Sequence, residues 1–145
     1  MKNILTTVIA FVGSLMLASA DIAANNHEDI ARHLTASFAE VVANMGNVKD
    51  KDSAHAFAAS IPVTKAKLLA LHQAAQALPA PTEAEKEAVS KRMSDAQKLY
   101  EPTLMEVMTA LVKKPDAQEI IMIIGKAMED KEMREVTEEL EKMYE

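Results

Sequence analysis

From residue 27 onward, apolar residues recur every three or four positions, the spacing of a helix that buries one face. Ile30, Leu34, Phe38, Val41, Val42 and Met45 form the first stripe. Asn25 or Asn26 can cap its start, with Glu28 and Asp29 in the first turn where acids favour the helix dipole. Gly46-Asn47 supplies a stop. The pattern predicts a helix over 27–45. A second stripe approaches a heptad seam: Ala54, Ile61, Leu68 and Ala75 in one set, Phe57, Thr64, Leu71 and Leu78 in the other. Asp50 or Asp52 can cap it, and the pattern predicts a helix over 52–78. Pro62 sits inside this seam, where it removes a backbone hydrogen bond and crowds the preceding turn. The apolar phase is the same on both sides of it, which a loop would reset, so the expectation is a kinked but continuous helix.

Pro79-Ala80-Pro81 makes a stiff connection, and Thr82-Glu83-Ala84-Glu85 is a capping box. The third stripe runs Val89, Met93, Ala96, Tyr100, Leu104, Val107 and Leu111 and predicts a helix over 83–113. It passes through Pro102 without losing phase. In an antiparallel hairpin, Pro62 and Pro102 would sit at similar heights and share a bend. Lys113-Lys114 suit a helix C-terminus, and Pro115 suits the first turn of a fourth helix over 115–144. The seam of that helix shifts around its axis between Ile121, Ile124 and Met128 on one side and Met133, Val136, Leu140 and Met143 on the other. A bend at Gly125 or at Glu129-Asp130 would separate a last short helix. With short links and no strand pattern, the chain is expected to be all-α, an antiparallel up-and-down bundle of three to four helices, two of them kinked by proline.

The first twenty residues follow a different rule. Met1-Lys2-Asn3 is a short basic start, Ile4 to Leu17 is apolar and uncharged, and Ala18-Ser19-Ala20 offers small residues to a signal peptidase. The apolar run has 14 residues against the roughly 20 that a spanning helix needs. The expectation is a cleaved signal peptide over 1–20, an exported single domain over 21–145 that is periplasmic or secreted, and no membrane association after cleavage.

Composition narrows the chemistry. The formal charge is −6, and the only charged residue among the first twenty is Lys2, so the remainder is one unit more acidic. An acidic chain without a basic stripe argues against nucleic acid as a partner. The absence of cysteine excludes disulfides, thiol catalysis, thiolate metal sites, covalent haem attachment and a lipidated N-terminus. Aromatic residues make up only 3%, so the core rests on aliphatics and methionine.

The segment Asn47-Val48-Lys49-Asp50-Lys51-Asp52-Ser53-Ala54, its Ala-rich continuation and Leu78-Pro79-Ala80-Pro81-Thr82-Glu83-Ala84-Glu85 resemble small secreted helical proteins of unknown function of the verrucomicrobial and planctomycete type. The resemblance covers about residues 40–112. It implies export and a helical fold, and it carries over no catalytic or binding residue.

Candidate reactive groups are few. His27, His33, His55 and His72 include no pair four residues apart, and no Glu-x-x-His segment occurs, so zinc and di-iron patterns fail. Asp52 and His55 share one helix face. Met105 and Met108, with Met93, Met122, Met128 and Met133, offer soft ligands for Cu(I), although methionine at helical spacing also fills cores. A haem held by His and Met would need a facing pair, and His27 and His33 flank the first apolar stripe. Ser53, Ser60, Ser90 and Ser94 lack a glycine elbow, and no phosphate loop is present. No enzyme is expected, and no cofactor.

Two surfaces remain. Leu104 to Val112 and Ile120 to Ile124 are apolar almost all round, which marks either a bundle centre or an interface. The candidate interaction residues are Leu104, Met105, Val107, Met108, Leu111, Val112, Ile120, Ile121, Ile123 and Ile124. Residues 129–145 carry eight acids and three bases and form either a solvated helix or a docking segment. The resulting expectation is a non-enzymatic exported bundle that binds a protein partner or itself. The rival is a periplasmic metal- or haem-binding bundle.

Overall fold

A computed structural model describes residues 22–145; the expected signal segment and the Ala20–Asp21 junction lie outside them. Five helices follow in order: α1 (His27–Gly46), α2 (Lys51–Ala77), α3 (Glu83–Leu111), α4 (Ala117–Met128) and α5 (Lys131–Met143). The described chain is an all-α bundle.

Local capping chemistry fixes where the helices start. The Asn26 side chain accepts from the Asp29 N–H at 2.8 Å. Asp50, not Asp52, caps α2: it accepts from the Ser53 N–H, and Ser53 Oγ returns the bond to the Asp50 N–H. Thr82 and Glu85 close the expected capping box around the start of α3. Each box satisfies N–H groups that the first turn would otherwise leave unpaired. α2 runs unbroken through Pro62 and α3 through Pro102, as the constant apolar phase requires. Pro115 does not begin α4. It lies in the preceding turn, between Lys114, whose carbonyl accepts from the Ala117 N–H, and Asp116, which precedes the helix. That is the second position of a β-turn, where its fixed φ is favourable.

Helix direction alternates from α1 to α4 and α5 continues in the direction of α4, but the partners differ from a simple ring of sequence neighbours. α3 packs chiefly on α1, in parallel: Glu28 lies near Arg92, and the rings of Phe38 and Tyr100 meet edge to face at 5.7 Å. α4 and α5 run one after the other along α2, also in parallel, through the ion pairs Lys51–Glu119, Lys65–Asp130 and His72–Glu139. The expected hairpin of the second and third helices, with a bend shared between Pro62 and Pro102, is therefore not formed. The connection Leu78–Thr82 is held extended at both ends. Its two prolines favour that conformation. Five extended residues span about 16 Å, enough to cross the bundle diagonally when neighbouring helices lie about 8–10 Å apart.

The core has two parts. One end holds Ile30, Leu34, Leu71, Ala75, Val89, Val136, Leu140 and Tyr144. The other holds Met45, Val48, Ala54, Phe57, Ile61, Leu111, Ile120 and Ile124. Buried Ser37 and Thr64 fall between the two groups along α1 and α2. The break between α4 and α5 falls at the same level, so α4 supplies one part of the core and α5 the other.

Candidate interaction surface

The two stretches singled out for their hydrophobicity meet in the core around Phe57. Leu111, Ile120 and Ile124 are buried there, with Leu104, Val107, Met108 and Ile123 packed against them. Ile121 is half-buried. The wall opposite comes from α1 and α2, and α4 lies chiefly along α2. Neither stretch is covered all round. Met105 remains 63% exposed and Val112 57% exposed. These two residues are seven apart, two turns along one line of α3, and half-buried Met108 lies between that line and the buried face. Met122 and Met128 on α4, and Leu99 higher on α3, are also exposed. Of the 29 residues of α3, only Val89 and Leu111 are buried, which leaves this helix the least covered of the long three.

The geometry explains that exposure. α3 packs closely on α1 along one stripe and only sparsely on α4. A stripe of about 100° is covered by one neighbouring helix, and side chains beyond it face solvent.

Of the two histidines expected to flank the first apolar stripe, His33 is half-buried as a flanking residue would be, while His27 is buried. His27 is only 4% exposed, at the very start of α1. Its Nε2 lies 2.9 Å from the Pro79 carbonyl oxygen, and its Nδ1 lies 2.9 Å from the Tyr144 hydroxyl. A carbonyl can only accept, so Nε2 carries the proton and Nδ1 accepts from the Tyr144 O–H. Both ring nitrogens are thus engaged, and neither is open to a metal. Burial, with Glu85 nearby, pushes the Tyr144 phenol up. His72 Nε2 sits 2.9 Å from Glu139 Oε2, His33 is half-buried, and His55 is exposed. Among the described residues, no group of three or more His, Asp or Glu side chains is arranged to hold a metal ion.

Two open clefts accompany these features. One, of about 470 Å³, lies between α2 and α4 and is lined by His55, Ile61, Pro62, Lys65, Ile123 and Asp130 among others. The other, of about 480 Å³, lies between α1 and α3 and includes Asn26, Glu28, Glu85 and Arg92. The charged groups at their rims are mostly paired with one another. Lys65 bridges Asp130 and Glu132, and these bonds raise its affinity for its proton. Asp130 is held below the usual carboxylate range by the Met133 N–H it accepts and then by the Lys65 ammonium. Such pairing is structural: it fixes where α5 starts.

The acidic segment 129–145 forms α5 and its flanks, with Val136, Leu140 and Tyr144 buried and its charged residues outward or paired to α2. No helix among the described residues is long and apolar enough to cross a membrane. No known family model matches the chain, and no curated protein or solved structure matches it.

Proposed function

We propose that this protein is an exported, non-enzymatic helical bundle that acts by binding another protein. The observation that carries the reading is the exposure of Met105 on α3 and of Val112 at its end, together with that of Met122 and Met128 on α4. A buried aliphatic side chain contributes about 1.5–3 kcal/mol relative to an exposed one, so a partner covering these side chains gains several such terms. The basic, apolar and small-residue succession over residues 1–20, and the resemblance over residues 40–112, support export. The serines of α2 and α3 lack a glycine elbow in the sequence, which supports a non-catalytic role. The rival, a metal- or haem-binding bundle, draws no support from His27, whose two nitrogens are already bonded.

The test is purification of the protein from its native compartment, followed by native mass measurement, metal analysis and an absorption spectrum. The expected result is a complex larger than the chain, no stoichiometric metal and no haem band. A Met105→Glu, Val112→Glu double variant should melt at the wild-type temperature but be recovered without the partner. Stoichiometric metal or haem, or a complex indifferent to both substitutions, would overturn the reading.

A further inference from the structure

The seam between α2 and α4 is bridged at two places and open between them. Lys51, His55, Ala58, Pro62 and Lys65 follow one another at spacings of four and three, so they share one line of α2. Lys51 reaches Glu119 at one end of that line, and Lys65 reaches Asp130 at the other. The two lysines are separated by about 21 Å of helix. Within that length α2 offers Ala58 and Pro62 to the seam and α4 offers Ala127, short side chains that leave it unfilled. The cleft of about 470 Å³ is the result, with buried Ile61 and half-buried Ile123 adding apolar wall.

Pro62 does more than leave space. It has no N–H, so the carbonyl of Ala58, four residues earlier, has no helical donor. Ala58 is half-buried and lines the cleft, which puts that acceptor in its wall. Pro102 frees the Lys98 carbonyl of α3 in the same way, but both of those residues are exposed and water serves the oxygen. A proline inside a helix is strongly disfavoured, and departures of this kind gather at functional sites. The charged groups of the cleft are equally uneven. Lys65 and Asp130 satisfy each other, whereas exposed His55 and Lys126 pair with no carboxylate among the described residues. An ammonium and an imidazole are thus left uncommitted in one cleft of a chain whose formal charge is −6.

We infer that this cleft binds a small amphipathic carboxylate. Lys126 takes the carboxylate, with the His55 imidazole as a second donor. Ile61, Ile123 and Ala127 cover an aliphatic chain, and the Ala58 carbonyl accepts from an N–H beside that chain. A sugar phosphate has no apolar body for the isoleucines, and an uncharged lipid leaves Lys126 unanswered. Met105 and Val112 on α3 take no part, so the Met105→Glu, Val112→Glu variant should bind such an acid as the wild type does. That separates this inference from the proposed partner surface.

The probe is N-octanoylglycine, which joins a carboxylate, an amide N–H and an aliphatic chain. It is titrated into the exported protein, labelled at its isoleucine and alanine methyl groups and followed by NMR. The signals of Ile61, Ile123 and Ala127 should shift together and saturate with a Kd of about 1 mM, ordinary for a ligand of about 14 heavy atoms. The neutral analogue N-octanoylglycinamide should bind about tenfold more weakly. Lys126→Ala, at an exposed position, should leave the melting temperature unchanged and abolish the difference between acid and amide. Pro62→Ala returns a donor to the Ala58 carbonyl, so it should weaken both ligands about fivefold while the helix persists. The inference is overturned if the acid does not saturate by about 10 mM, or if its shifts centre on other methyl groups. It is equally overturned if acid and amide bind alike, or if either variant binds both ligands as the wild type does.

Discussion

Replacing Tyr144 by Phe removes one oxygen and keeps the ring. The ring stands edge-on to His27 at 5.5 Å between centroids, and that contact survives the substitution. What is lost is the only donor to His27 Nδ1 among the described residues. The other ring nitrogen must keep its proton to serve the Pro79 carbonyl, so the imidazole cannot turn its proton to Nδ1 without orphaning that oxygen. A residue 4% exposed has no ready access to water as a substitute. Stranding a buried acceptor costs about 1–3 kcal/mol. For a domain of this size, unfolding entropy is about 0.25 kcal/mol/K, so the melting temperature should fall by about 4–12 °C. Helix circular dichroism during heating, paired with urea titration, gives the number. A cycle with His27→Ala should return a coupling of about 1–2 kcal/mol. A Tyr144→Phe protein that melts within about 1 °C of wild type would refute the assignment of that hydrogen bond as the tie between the start of α1 and the end of the fold.

Four further outcomes follow from the same reasoning. Ile120→Ala, at a fully buried site, should cost about 2–5 kcal/mol in urea unfolding. Pro62→Ala should stabilise the protein, by up to about 3 kcal/mol, because it restores a donor inside an intact helix; a loss of stability would show that the bundle depends on the proline. Asp29 is held below the usual carboxylate range by Arg32, Asp50 by Ser53, Glu85 by Thr82 and Asp130 by Met133. Depressed carboxylates stabilise the fold above their unfolded pKa, and that contribution is lost as pH falls through the folded value. Melting temperature should therefore decline below about pH 4, and a flat profile there would remove these caps from the account. N-terminal sequencing of exported material should begin at Asp21, and a mature chain retaining Ile4 to Leu17 would exclude cleavage.

Helix starts were legible because capping is local. Thr82 with Glu85, and Asn26 with the acids that follow it, announce themselves within four residues. The continuity of α2 and α3 through proline was legible from phase alone. Partner choice was not, because an apolar stripe specifies that it must be covered and not by what. The third stripe suits α1 as well as α2, and the extended Pro79–Pro81 link permits either. Leu104 to Val112 read as apolar on every side, yet Met105 and Val112 face solvent, since α3 has one close neighbour along most of its length. The shift of seam between α4 and α5 did mark Glu129-Asp130, one of the two bend positions that the sequence offered. The His27–Tyr144 bond had no signature, being formed between residues 117 apart.

The parallel pairing has a consequence for how the chain comes into being. Several residues of α1 and α2 find their partners in α3, α4 or α5 roughly 60–70 residues later, as Phe38 does in Tyr100 and Lys65 in Asp130. A ribosome adding about 5–20 residues per second imposes a wait of about 3–14 s on each such contact. During that interval the first two helices can meet only each other, with Ile30, Leu34 and Leu71 still uncovered. Synthesis order thus keeps the newborn chain open until its last helix has emerged.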